Sequence, residues 1–299
     1  MRLWLLSLVL AARLFGQPPN MLLADETAGF GPIAQTLISV FDHADIVALG
    51  DNHGRRLDSD ARISLVRHPD FAKKVHFIVV EFASTAQQSI LDRYVGGQAV
   101  PLAELQQIWK TTTQTSGVWD SPVYADFLAA VREVNQMLPP DARIRVLAGD
   151  PPTGSDLSRD RSAVSVIEEQ VLRKRGKALV IYGAGHLFRA NIGAITTMLD
   201  ADFPGKTLVV ITGGGPYPEY QEFERALKTP VRPVLVSLRR TPFRDFTAEE
   251  FLGRGMKKLV NGQWISAFQG SALTWGQIAD ACIYFGTASD VDTPVSRDR

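Results

Sequence analysis

Short runs of β-branched and aliphatic residues alternate with segments of helical periodicity along this chain, and that rhythm constrains the fold more than any other feature. The runs are Ile46–Leu49, His76–Val80, Ile144–Gly149, Ala178–Tyr182, 207–211, Pro233–Leu238 and Ala281–Phe285. Helical patterns fall between them near 58–67, 84–95, 160–175 and 189–200. Such alternation predicts an α/β fold, a mainly parallel sheet flanked by helices. The rhythm breaks between residues 96 and 140, which hold no strand pattern. They carry two helical patterns, Leu102–Lys110 and Tyr124–Met137, around the polar stretch Thr111–Asp120. We read 96–140 as a helical cap insertion over the strand ends, within a single α/β domain spanning 18–299.

The ends of these runs carry the chemistry. Gly50-Asp51-Asn52-His53 and Gly183-Ala184-Gly185-His186 repeat the pattern GxxH, each directly after a strand run. The run at 76–80 delivers Glu81, and the run at 144–149 delivers Asp150. In an open α/β sheet, ligands bind outside the carboxyl ends of the strands, so Asp51, His53, Glu81, Asp150 and His186 are the candidate catalytic residues. A lone strand-end histidine is usually a polar cap; two on matching frames point to function, because glycine lets the backbone turn sharply there. Glu81 ends an apolar run, where a buried carboxylate needs a cationic or metal partner. The bland alternative is an ion pair with an arginine such as Arg93. Asp51 and Asp150 carry weaker signals, since Asp is a common turn residue. His43, His68 and His76 read as structural.

Two imidazoles and a carboxylate suit two kinds of hydrolytic site. His53, Glu81 and His186 can ligate a divalent metal ion such as Mn, Co or Zn, which lowers the pKa of bound water and polarises a carbonyl. Without a metal, one histidine acts as general base on water, a carboxylate orients it, and the second histidine stabilises the oxyanion. Other site classes lack support. Ser84, Ser116 and Ser271 sit in no GxSxG elbow. Neither Thr212-Gly213-Gly214-Gly215 nor Gly183-Ala184-Gly185 completes a phosphate-binding loop. Cys282 is the sole cysteine, which excludes an intramolecular disulfide and a zinc-thiolate cluster. Formal net charge is zero, so no global field draws the chain to nucleic acid; the expected partner is a small-molecule or peptide substrate.

The N-terminus reads as an export signal over residues 1–17. Arg2 precedes the apolar stretch Leu3–Ala12, which is too short to span a bilayer. This places the mature protein in a secreted or periplasmic location without a stable membrane anchor, and no cysteine follows the stretch to carry a lipid.

At these residues the chain resembles the superfamily that joins erythromycin-esterase-like hydrolases, ChaN-like haem-binding proteins and Tiki (TraB)-like proteins. Leu49-Gly50-Asp51-Asn52-His53-Gly54 is similar to its opening Gly-acid-x-His motif, with Asp where Glu is commoner. Val80-Glu81-Phe82, then Gln88 and Leu91-Asp92-Arg93-Tyr94-Val95-Gly96-Gly97, resembles the ChaN-type segment. Gly183-Ala184-Gly185-His186-Leu187 resembles the second histidine motif. The resemblance spans about residues 40 to 290. It implies three functions: metal-dependent proteolysis through His53, Glu81 and His186 in the Tiki-like branch; lactone hydrolysis through Asp51, His53, Glu81, Asp150 and His186 in the esterase branch; and haem binding in iron uptake in the ChaN-like branch. An exported hydrolase of an ester or amide is the leading expectation, with haem binding as the alternative.

Overall fold

The computed structural model describes residues 23–114, 117–252 and 257–288. The expected export segment and Ser116 lie outside the described residues. The strands are β1 (Glu26–Ala28), β2 (Ile46–Asp51), β3 (Phe77–Ser84), β4 (Arg145–Asp150), β5 (Ala178–Gly183), β6 (Thr207–Gly213), β7 (Val234–Ser237), β8 (Lys257–Val260), β9 (Gln263–Ser266) and β10 (Ala281–Tyr284). Eight of them form one sheet in the order β1-β7-β10-β6-β2-β5-β3-β4, and β8 pairs with β9 separately. From β10 to β4 all pairings are parallel, whereas β7 lies antiparallel between β1 and β10. The expected α/β architecture is therefore present. β2 and β5 are central neighbours and buried at every residue, which is why both read as unbroken apolar runs.

Alternate side chains build two cores. Val47, Leu49, Leu179 and Ile181 point to one face, covered by helices Phe30–Val40, Arg56–Arg67, Gln88–Val95 and Pro122–Gln136. Ile46, Ala48, Ala178 and Val180 point to the other, covered by Arg159–Gln170, Ile195–Asp202 and Pro218–Ala226. The chain leaves β2 and β3 toward the first face and leaves β4, β5 and β6 toward the second. Because the spatial order is β6-β2-β5-β3-β4, adjacent strands send their connections to opposite faces. Diverging connections open a crevice at the carboxyl edge, the place where open α/β sheets bind ligands.

The segment from 96 to 140 is the crossover from β3 to β4. Pro122 pre-sets the first helical position of Pro122–Gln136, and Val123, Tyr124, Phe127, Leu128 and Val131 bury one side of that helix in the first core. Ahead of it, the expected helix 102–110 is two short turns, Leu102–Leu105 and Gln107–Lys110. Thr113, Trp119 and Tyr124 reach the carboxyl edge of the sheet through the contacts described below. Gln88 is structural. Its amide donates to Val146 O and accepts from Ala148 N, both at 2.8 Å, and so covers the open edge of β4.

Two expectations shift in detail. β3 does not stop before Glu81 but continues to Ser84, with a register irregularity against β4 between Val80 and Ser84. The hairpin of β8 and β9 escaped the alternation pattern, although Asn261-Gly262, at φ 50° and 78°, carries the two-residue turn signature.

Candidate active site

β2 and β5 lie in register with Gly50 beside Tyr182 and Asp51 beside Gly183. The two GxxH frames are thus adjacent but offset by one residue, and both histidines emerge at the same sheet edge. Between them stands Glu81 of β3, whose Oε2 accepts from Gly183 N at 2.6 Å and whose Oε1 lies 3.5 Å from His186 Nε2. A side chain at Gly183 would crowd the site. A Cβ there would meet His53 Cε1 at 3.1 Å and Glu81 Oε2 at 3.3 Å, so the missing side chain is the space in which His53 approaches Glu81.

Each imidazole is held by its own carboxylate. His53 Nδ1 donates to Asp51 Oδ2 at 2.9 Å, and His186 Nδ1 donates to Asp160 Oδ1 at 2.5 Å. These bonds leave Nε2 of both rings toward the crevice, and the side chains are 28 % and 29 % exposed, enough to meet a substrate. Burial disfavours the charged form of each ring, but the partner carboxylate and Glu81 overcome it and raise the pKa of both above the ordinary histidine value.

The first dyad is buttressed from the first core. Asp51 Oδ1 accepts from Arg62 Nη1 at 2.7 Å, and both side chains are almost fully buried. Burial pushes the carboxyl up, but the Arg62 guanidinium, then the His53 bond, outweigh it and hold the pKa at about 2. Tyr124 Oη donates to Asp51 Oδ2 at 3.0 Å and accepts from Gly54 N at 3.0 Å. Trp119 meets the His53 ring edge-on, with centroids 4.5 Å apart. Asn52, within the same motif, is tied to the end of β6: its amide donates to Thr212 Oγ1 at 2.6 Å, and its N–H donates to Asp58 Oδ1 at 3.1 Å.

The second dyad hangs from the N-terminal turn of helix Arg159–Gln170, which supplies Asp160 and Arg159. Arg159 Nη1 donates to Glu81 Oε1 at 2.6 Å and its Nε lies 2.7 Å from Asp150 Oδ1. Asp150 is fully buried and also accepts from Thr113 N at 2.5 Å. Burial raises its pKa against the opposing Thr113 bonds and the Arg159 charge. The ion pair anticipated for Glu81 is made with Arg159, whereas Arg93 pairs with Glu104. Tyr182 packs its ring 6.0 Å from His186 and seats its hydroxyl over Gly149, where a Cβ would lie 2.1 Å away.

All five expected residues are therefore gathered along one edge, with Asp51 on His53, Glu81 between the imidazoles, and Asp150 one step further, behind Arg159. Sequence reading missed Arg62, Thr113, Trp119, Tyr124, Arg159 and Asp160. Arg62 sits on the second turn of a helix that follows the first motif, a periodicity signal for a charged residue on a buried face; the others have no local signature. His43, His68 and His76 take no part. The set His53, Glu81 and His186 does not fit a divalent ion as arranged, because both Glu81 oxygens are engaged and a guanidinium stands where the ion's charge would act. Among the described residues no group of three His, Cys, Asp or Glu is placed to hold a metal ion.

No family model and no curated protein matches the chain. Its fold does have relatives among solved structures. A Bacillus cereus protein superposes with a TM-score of 0.57 at 12 % identity, covering 91 % of this chain and 94 % of that one. A succinoglycan biosynthesis protein gives 0.56 at 11 % identity, covering 91 % and 96 %. An erythromycin esterase mutant in its open conformation gives 0.52 at 10 % identity, covering 88 % and 95 %. This chain has the fold of these proteins. The resemblance read from its motifs, which includes the erythromycin esterases, holds at the level of architecture. No helix among the described residues is long and apolar enough to cross a membrane.

Proposed function

We propose that this protein is a hydrolase of an ester or amide bond that works by metal-independent acid–base chemistry at the His53 and His186 dyads. One observation carries the reading: two histidine–carboxylate dyads, their histidines just past adjacent strands, meet at one sheet edge around Glu81, which lies 3.5 Å from His186 Nε2 and close to the His53 ring across Gly183. In the neutral form His53 Nε2 takes a proton from water as the water attacks a carbonyl, and Asp51 stabilises the imidazolium that forms. His186, kept protonated to higher pH by Asp160 and Glu81, donates to the oxyanion and then to the leaving group. Atoms balance: the water's hydroxyl joins the acyl carbon, its proton goes to His53, and the proton on His186 leaves with the alcohol or amine. Similarity in fold to an erythromycin esterase supports the hydrolytic class without naming the substrate. The export signal would deliver the enzyme to a secreted or periplasmic compartment.

The test is turnover of p-nitrophenyl esters, a macrolide lactone and a peptide library by protein treated with chelator, then with Mn, Co or Zn added back. Hydrolysis that survives chelation and vanishes in His53→Ala supports the proposal. Hydrolysis only with added metal would replace it with the metal-dependent reading, and stoichiometric haem binding without hydrolysis would replace it with a haem carrier.

A further inference from the structure

We propose that Tyr124 is a positioning residue for His53: its phenol fixes the Asp51 oxygen that holds the imidazole and, with the same atom, the backbone that follows the imidazole. This rests on the hydrolytic role proposed for His53. The geometry is a closed loop of bonds. Tyr124 Oη donates to Asp51 Oδ2 at 3.0 Å, that oxygen accepts from His53 Nδ1 at 2.9 Å, and Gly54 N, one residue past His53, donates back to Tyr124 Oη at 3.0 Å. One hydroxyl thus sets the distance between the carboxylate and the turn that carries the ring.

The phenol can do this because its own direction is fixed. Tyr124 is fully buried. Phe82 packs against its ring with centroids 4.8 Å apart, Trp119 meets it edge-on at 5.1 Å, and the Arg62 guanidinium carbon stands 5.2 Å above its centre. Trp119 also touches His53, and Arg62 also binds Asp51. The walls of the tyrosine's box are therefore the same groups that hold the dyad. Burial first, and then the Asp51 charge, keep the phenol protonated far above its ordinary range, so it remains a donor to Asp51 at any usable pH. Tyr124 comes from the β3-to-β4 crossover, remote in sequence from the motif it serves.

The chemical consequence has a definite sign. Phenol and imidazole donate to the same carboxylate oxygen, so the phenol draws off negative charge that would otherwise face His53. Removing only the hydroxyl concentrates that charge on the His53 bond and makes the imidazole hold its proton to higher pH. The other charged groups facing His53, Glu81 and Arg159, stay in place. His186 has a separate carboxylate and serves as an internal standard.

The experiment is Tyr124→Phe in the full chain, which keeps the aromatic box. Histidine ring resonances are titrated by NMR, with His53→Gln and His186→Gln assigning the two signals, and kcat and KM are measured against pH on the best ester found. We expect the His53 midpoint and the acid limb of kcat to move up together, the His186 midpoint to stay, and kcat on the plateau to fall about tenfold with KM unchanged. A His53 midpoint that stays or moves down overturns the proposal. So does an equal shift of His53 and His186, because that reports a general loosening of the fold. Failure of the hydrolytic reading is seen separately, as absence of turnover in the wild type while the titration remains measurable.

Discussion

The two GxxH frames look equivalent as sequence, yet the structure supports them in different ways. In the first the acid belongs to the motif: Asp51 lies two residues before His53 and binds it, and Arg62 and Tyr124 fix that carboxylate from other segments. The second contains Ala184 and Gly185 where an acid would stand, and borrows Asp160 from a helix 26 positions earlier. The first carboxylate is 4 % exposed and locked to Arg62, whereas Asp160 is 25 % exposed. The first dyad is thus clamped from the core, and the second meets water on its carboxylate side.

The largest effects should come from the imidazoles themselves. His53→Ala should lower kcat by about 10²- to 10⁴-fold, the range for a lost general base, and His186→Ala by less, with both proteins retaining their circular dichroism. A larger loss at His186 would reverse the assignment of base and acid. Next, the clamps should act on stability rather than rate. Arg62→Met leaves Asp51 buried without its cation and should destabilise the fold by about 3–5 kcal/mol in urea unfolding. Arg159→Met should cost at least as much, because Arg159 is partly exposed but leaves two buried carboxylates, Glu81 and Asp150, without their cation. A clearly smaller loss in Arg159→Met would show that Glu81 and Asp150 find other partners once the guanidinium is gone.

The carboxylates sharpen the contrast at a smaller scale. Asp51→Asn should drop the His53 midpoint and move the acid limb of the rate profile down, with a loss in kcat on the order of 10²-fold; Asp160→Asn should shift only His186 and lose on the order of tenfold. The smallest effect is on stability against pH. Asp51 is held at about 2 against an ordinary value of 3.8, so its contribution is present above 3.8 and is lost as pH falls toward 2. That contribution is on the order of 2 kcal/mol, and Asp51→Asn should flatten this part of the acid-denaturation curve relative to wild type. The histidines act with the opposite sign. Their folded-state values are raised, so the stability they confer is full below 6.5 and is lost as pH rises through the folded midpoints. Thermal melts across that window should decline in the wild type and decline less in the His53→Gln, His186→Gln double variant.

Much of this was legible in the chain because it is local. A central parallel strand is buried on both faces, so β2, β3, β4, β5 and β6 announce themselves as apolar runs, and a residue at a run's end has only one edge of the sheet to occupy. That reasoning reached Asp51, His53, Glu81, Asp150 and His186. It could not reach Tyr124, Thr113 or Arg159. Each of those serves the site from a neighbouring helix or loop, where its own segment gives no periodicity that distinguishes it from other buried or surface residues. Arg93 was the arginine nearest Glu81 along the chain, but it lies on a helix covering the first face, while Glu81 points to the second, where Arg159 waits.

Sequence alone determined the architecture and the edge on which chemistry gathers, because strand period and glycine turns are properties of a few consecutive residues. Only the tertiary structure decided that β5 lies beside β2 one residue out of step, that Asp160 rather than a motif residue holds His186, and that Arg159 rather than a metal ligand set surrounds Glu81. Those choices depend on which strands neighbour each other and which face each crossover takes, and such non-local pairings leave no mark on the segments that make them.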